Sequence, residues 1–555
     1  MKRALFLVLP ALLALPAWAL DTLRPEQLKP GMKGYGLSVF KGTEPERFNV
    51  EIVGILENAF PKQDMILIRM SGAELEKHKV IAGMSGSPIY INDKLIGALA
   101  YGWSFQNDPM AGVTPIHNML AQINATAAAL PAPANAPATS DAVSPRPLLT
   151  PLSVAGFSPR VVDLLAERLK PFGMVPVASG GSKGAKRPRG HIEPGSAIGV
   201  ELIRGDFSAT AVGTATYVDK NKILAFGHPF FLGGSVEAPA VQAEVHGVLS
   251  SVDTSFKLAS GRGEVGAMVG DWQSCIVADT KVAAAMIPVA IRVTNRETGQ
   301  TERYDMEILR NKALSPLLAQ VAILQSVFAA SSSSADTTTR VGLRVELAGR
   351  TLELGDTFFN PAGLMDMSAL IPLVQIFVNP FGDAVVQRID VTVDASLTRQ
   401  TAEITRAYFS KSEVERGERV PLHVVLKPFG KPEVTRTIDI DVPASTDSMR
   451  QLIVTVIAGA DAPADVAPPE TLTDFLDALQ KRHHATELVA LIPTPTQGLQ
   501  YRGKLLKSLP ASVRTVLDDS SGTGIANAAD IRQLTAPTEW VLTGSATVRV
   551  PIRQE

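Results

Sequence analysis

The chain has 555 residues, enough for about four domains at roughly 150 residues each. Its 45% hydrophobic and 19% charged composition is that of a folded protein, not a disordered one. With 53 basic and 55 acidic residues the net charge is −2, which argues against a nucleic-acid partner or a polybasic membrane binder. The single cysteine, Cys275, excludes an internal disulfide and a cysteine-built metal site. No metal or cofactor is expected. Plentiful Gly and Pro with few aromatics favour short strands and turns.

Lys2 and Arg3 precede an apolar run, ALFLVLPALLALP, and Ala17-Trp18-Ala19 fits a small-x-small cleavage pattern. Residues 1–19 therefore read as a signal peptide, and the run is short for a membrane span. The expected location is exported, periplasmic or extracellular, with no transmembrane segment beyond the signal.

Residues 20–124 read as a small antiparallel barrel. Its strands are GYGLSVF, RFNVEIVGILEN, DMILIRMSG, SPIYIN and KLIGALAYGW, with AGVTPI closing the set. Residues 125–157 open on an Ala/Pro-rich, nearly uncharged stretch and read as a linker. Residues 158–312 combine a capped helix (158–173), a basic glycine-rich loop (179–191) and a second β-rich block. Residues 313–384 carry apolar helical and strand segments that pack on the barrels. Between 385 and 462, five segments alternate at period two and suggest an immunoglobulin-like sandwich. Residues 463–555 read as mixed α/β.

The stretch carrying most chemistry is VIAGMSGSPIYINDKLIGALAYGW, 80–103. Ser85 lies between glycines in a tight turn, followed by Pro88 and two strands. Glycine lets neighbouring backbone N–H groups converge on one point. The N–H groups of Gly83 and Ser85 would then form an oxyanion hole, and one such donor is typically worth about 2.7–4 kcal/mol in the transition state. Ser87 is the competing hydroxyl. A nucleophilic serine needs a base within hydrogen-bond reach. Of the eight histidines, His228 has the fitting context, next to glycine on the turn after an apolar strand, in NKILAFGHPFF. Asp271, with Asp64 as alternative and Asp253 and Asp279 as further candidates, would orient it. A Ser–His dyad oriented by a backbone group is also open.

GMSGSP resembles the nucleophile loop of chymotrypsin-like proteases, and Tyr101-Gly102-Trp103 resembles the strand that lines their cleft. More specifically, GMSGSPIYINDKLIGALAYGW, GTATYVDKNKILAFGHPF, GMKGYGLSVFKG and SFKLASGRGEVGAMVGD resemble segments of the SpoIVB-type serine peptidases. The resemblance covers residues 30–120 and 195–300. It implies a trypsin-like double β-barrel with Ser85 as nucleophile and His228 as base. The blocks come in the opposite order from the family, which a circular permutation accommodates, because a triad is defined by geometry and not chain order. The expected function is a serine endopeptidase acting on a protein or peptide substrate. The alternatives are a catalytically inactive protease-fold scaffold of the cell envelope, and a protein that cuts its own linker.

Overall fold

The computed structural model describes residues 21–73, 75–103, 108–123, 145–180, 189–231, 233–251, 254–330, 336–361, 367–443, 450–464, 468–501, 504–506, 512–513 and 525–553. The signal peptide, most of the Ala/Pro linker and Asp253 lie outside these residues, as does the centre of the basic loop.

The first block holds β1 (Lys33–Ser38), β2 (Glu46–Phe60), β3 (Gln63–Ser71), helix α1 (Leu75–His78), β4 (Ile81–Ala82), β5 (Pro88–Ile91), β6 (Lys94–Gly102), β7 (Met110–Pro115) and α2 (Ile116–Leu120). Along β2, Phe48, Val50 and Ile52 are buried and alternate with more exposed neighbours, the period expected of a strand with one face inward. The pairings run β1-β2-β3-β7-β6-β5 and return to β1, closing a six-stranded barrel. Ile66, Ile68, Ile89, Ile96, Leu99 and Val113 contribute to its core.

The chain returns at β8 (Arg146–Pro147), a short strand on β6, then forms β9 (Thr150–Ala155), α3 (Pro159–Leu169) and β10 (Met174–Ala178). The second block follows as β11 (Ala197–Gly205), β12 (Ser208–Asp219), β13 (Lys222–Ala225), β14 (Gly234–Leu249), β15 (Ser255–Trp272) and β16 (Cys275–Asp279). Its pairings, β11-β12-β13-β16-β15-β14 and back to β11, also complete a circuit of six strands. Counted from its own first strand, each block has the order 1-2-3-6-5-4. The fold is mainly β, as the strand patterns imply.

This second ring is part of a larger sheet. The hairpin β17 (Met286–Asn295) and β18 (Thr301–Leu309) joins it through β18 and β11, and helix α4 (Ser315–Ala330) packs on that hairpin. Strands β19 (Thr337–Leu347) and β20 (Arg350–Asn360) follow, then α5 (Ile371–Val378) and β21 (Val386–Ser396). β21, expected as the first sandwich strand, pairs instead with β17 and β19. Alternation specifies one buried face, and two different sheets satisfy it equally.

The last part comprises β22 (Thr401–Phe409), β23 (Arg419–Pro428), β24 (Val434–Asp441), β25 (Gln451–Ala458), α6 (Leu472–Gln480), β26 (Glu487–Tyr501), β27 (Lys504–Leu506), β28 (Ile525–Pro537), β29 (Val541–Thr543) and β30 (Ser545–Pro551). One sheet runs β24-β23-β22-β29 and the other β27-β26-β25-β30, with β28 on β26. Leu422, Val424, Leu452, Val454, Leu488 and Trp540 share the buried core formed by strands of both sheets. The tail thus supplies strands to both sheets. Among the described residues no helix is long and apolar enough to cross a membrane.

Candidate active site

Residues 83–87 leave β4 and turn into β5. Gly83 and Gly86 take φ of +96° and +97°, conformations that suit glycine and strain other residues. Gly86 is required twice over, because a Cβ there would lie 1.9 Å from the Thr214 carbonyl oxygen. The turn is fixed by backbone bonds. Met84 N donates to Ile81 O, Ser87 N to Met84 O, and Gly86 N to Leu99 O at 2.7 Å. These bonds engage neither Gly83 N nor Ser85 N, the two groups expected to form the oxyanion hole.

His228 lies on the corresponding connection of the second ring. Both residues follow the third strand of their ring and precede the fourth, Ser85 between β3 and β5 and His228 between β13 and β14. Phe226 and Gly227, just before the histidine, both have φ of +68°. A non-glycine residue held there stores backbone strain, a feature that clusters at functional sites. The Thr114 hydroxyl, from β7 of the first barrel, donates to the Gly227 carbonyl at 2.5 Å.

The two connections meet. Thr214 N donates to Ser85 O at 2.8 Å. The Thr214 hydroxyl donates to Gly83 O, and the Thr216 hydroxyl to Gly86 O. A Cβ on Gly227 would touch Ala98, Ala100 and the Leu99 carbonyl, the same carbonyl that holds Gly86 N. Ser85 is fully buried and His228 is 2% exposed. The Ser85 Oγ and His228 Nε2 are each buried without a hydrogen-bond partner, so the two atoms do not bond each other. Each loop is pinned by its own backbone bonds.

The histidine ring is oriented by main chain. Its Nδ1 lies 2.8 Å from the Pro229 carbonyl, which can only accept. Nδ1 therefore carries the proton and Nε2 presents a lone pair. Burial pushes the imidazole down to about 4, so it is neutral at pH 7. That is the tautomer and charge state a general base needs.

The acidic candidates serve other groups. Asp271 accepts from the N–H groups of Phe230, Phe231 and Gly233 and so shapes the loop after His228. Asp64 accepts from Asn58 N near the β2–β3 turn. Asp279 binds Asn221 and Lys222 on β13 and the turn before it. The group beside His228 Nδ1 is the Pro229 carbonyl.

One buried residue beside the serine loop is absent from the sequence expectations. Lys257, on β15, is 1% exposed, and burial pushes its amine down to about 7. Nζ donates to Ser38 Oγ at 2.9 Å, with Thr214 Oγ1 at 3.5 Å. Ser87 Oγ donates to Met84 O and also lies 3.1 Å from Ser38 Oγ. Ser87 is thereby tied into the wall of the loop. Lysine is among the residues least often buried, and no spacing in the sequence marks this one.

No curated protein matches this chain. A family model, SpoIVB peptidase S55, matches residues 23–120, the stretch that builds the first barrel and the Ser85 loop.

Proposed function

We propose that the protein is an exported serine endopeptidase of SpoIVB type, with Ser85 as nucleophile and His228 as general base. The observation that carries this reading is the pairing of two equivalent connections from two six-stranded rings. Each presents one reactive atom, Ser85 Oγ or His228 Nε2, with no other partner. The family match over the serine barrel supports the same chemistry. In this reading the Ser85 oxygen attacks the substrate carbonyl as its proton passes to His228 Nε2. The N–H groups of Gly83 and Ser85 receive the oxyanion. Collapse expels the amine, which takes the proton from His228, and water then releases the acyl group by the same relay. His228 is held by the Pro229 carbonyl, so the relay is a dyad with a backbone orienter. The blocks follow a permuted order relative to the family.

A fluorophosphonate probe tests the assignment. It should label the wild type, fail on Ser85→Ala, and label His228→Ala at least about a hundredfold more slowly, the usual range for losing a general base. Labelling that survives in Ser85→Ala would overturn the nucleophile assignment. A wild type that resists the probe, with function retained by Ser85→Ala, would favour the scaffold.

A further inference from the structure

The edge of β6 reads as a continuous register of partners. Ala98 pairs with Pro88 of β5. Leu99 bonds Gly86 and Ser87 of the serine loop in both directions. The next carbonyl, Ala100 O, accepts Leu148 N at 2.9 Å. Tyr101 then pairs with Pro147, and Gly102 with Arg146, antiparallel. Tyr101 also pairs with Gly112 of β7, so Arg146–Leu148 lies on the opposite side, the same side as β5 and the serine loop. The β6–β7 register slips between Leu99 and Tyr101, which leaves Ala100 as the extra residue of a bulge, a device that re-aims groups beside active sites.

The segment is suited to this place. Proline lacks an N–H, so Pro145 and Pro147 leave donors only at Arg146 and Leu148, alternate positions that face one neighbour. Leu148 belongs to the same buried cluster as Met84 and Leu99, and its Cδ2 lies 3.0 Å from where a Gly102 Cβ would stand. Leu149 is 37% exposed. Pro151 then passes Gly83, with its Cγ 3.2 Å from the Cβ that glycine lacks. The chain thus crosses the serine loop in extended form, as a peptide does when it adds a strand to an open sheet edge.

We infer that Arg146–Leu148 occupies the protein's own substrate track, with Leu148 standing where the residue before a scissile bond would stand. The chain thereby blocks its own site, and the pocket that holds Leu148 selects a leucine-sized apolar residue in substrates. The inference rests on the peptidase reading above and adds regulation and substrate class to it. An external peptide needs the Ala100–Gly102 edge, and this strand holds it.

The test compares fluorophosphonate labelling of the full-length wild type with Leu148→Asp and Leu148→Pro. The first places a charge in the apolar pocket, and the second removes the N–H donor while keeping an apolar side chain. Thermal unfolding is followed in parallel. Both variants should label at Ser85 about tenfold faster or more, because the closed fraction taxes every ligand in proportion. Leu148→Asp should also cleave a quenched peptide with leucine before the scissile bond about tenfold faster than its aspartate counterpart. Ser85-dependent labelling at equal rates in folded wild type and variants would overturn the self-blocking strand and leave the peptidase intact. No labelling at Ser85 in any of the three would overturn the peptidase reading itself, and this inference with it.

Discussion

His228 is buried and neutral, and that has a cost that depends on pH. Its folded value of about 4 lies below the ordinary 6.5. Between those values the unfolded chain binds a proton that the folded chain does not, so stability falls as pH drops from about 6.5 to about 4. At about 1.4 kcal/mol per unit, the loss from this one group is about 3 kcal/mol. Denaturant midpoints measured at pH 7 and pH 4.5 should therefore fall further for the wild type than for His228→Gln, which lacks the titration. Equal falls would show that His228 is not held neutral. The sequence singles out Ser85 for Gly83 and Gly86 around it and His228 for Gly227 before it, and the two lie on corresponding connections of the two rings. The carbonyl beside the His228 ring is not legible in the sequence, since any residue has one and only the loop's path places that of Pro229. What Asp271 holds is not legible either, since its partners include backbone N–H groups, which carry no sequence signature.

At the scale of elements, the serine turn is a wedge between the two rings. Gly86 fills a space with no room for a methyl group, and its φ of +97° adds strain for any other residue. The backbone conformation alone should cost Gly86→Ala about 1–2 kcal/mol, with the contact against the Thr214 carbonyl added to that. Gly247, on β14, is the comparison, because a Cβ there meets nothing within 4 Å. Gly247→Ala should stay within about 0.5 kcal/mol of the wild type. Urea midpoints separate the two, and a Gly86→Ala protein as stable as Gly247→Ala would contradict the close approach of the loops. The barrel strands were readable at this scale because β-branched runs and turn residues mark them locally. The destination of β21 was not, since pairing partners far along the chain, such as Val289 and Val345 opposite Ile389, leave no local mark. The short strand at Arg146–Pro147 escaped notice for the same reason: two prolines in an Ala/Pro stretch read as linker, and only the edge of β6 makes them a strand.

At the scale of the molecule, the proposed site depends on the two rings staying docked. Leu95, Ala98, Ile116 and Met119 from the first block and Leu224, Cys275 and Val277 from the second share one buried cluster. The pairing of β4 with β15 adds a backbone link between the blocks. Burying an aliphatic side chain is worth about 1.5–3 kcal/mol, so several across one interface hold the rings together without covalent staples. Composition foretold this need, since a chain with one cysteine has no disulfide to rely on, but not which faces would meet. Cys275 now serves as a reporter of that docking. It is fully buried, and burial pushes its thiol up to about 12, so neither access nor ionisation favours reaction near neutral pH. An aromatic disulfide reagent at pH 8 should leave the native thiol unmodified and titrate one equivalent in 6 M guanidinium. Intermediate denaturant distinguishes the ways the interface opens. If the rings part only when the protein unfolds, the thiol's modification rate follows the global unfolding constant measured by fluorescence. Rapid modification in native buffer, with the strands intact by circular dichroism, would mean that the rings separate freely and that Ser85 and His228 share a site only part of the time.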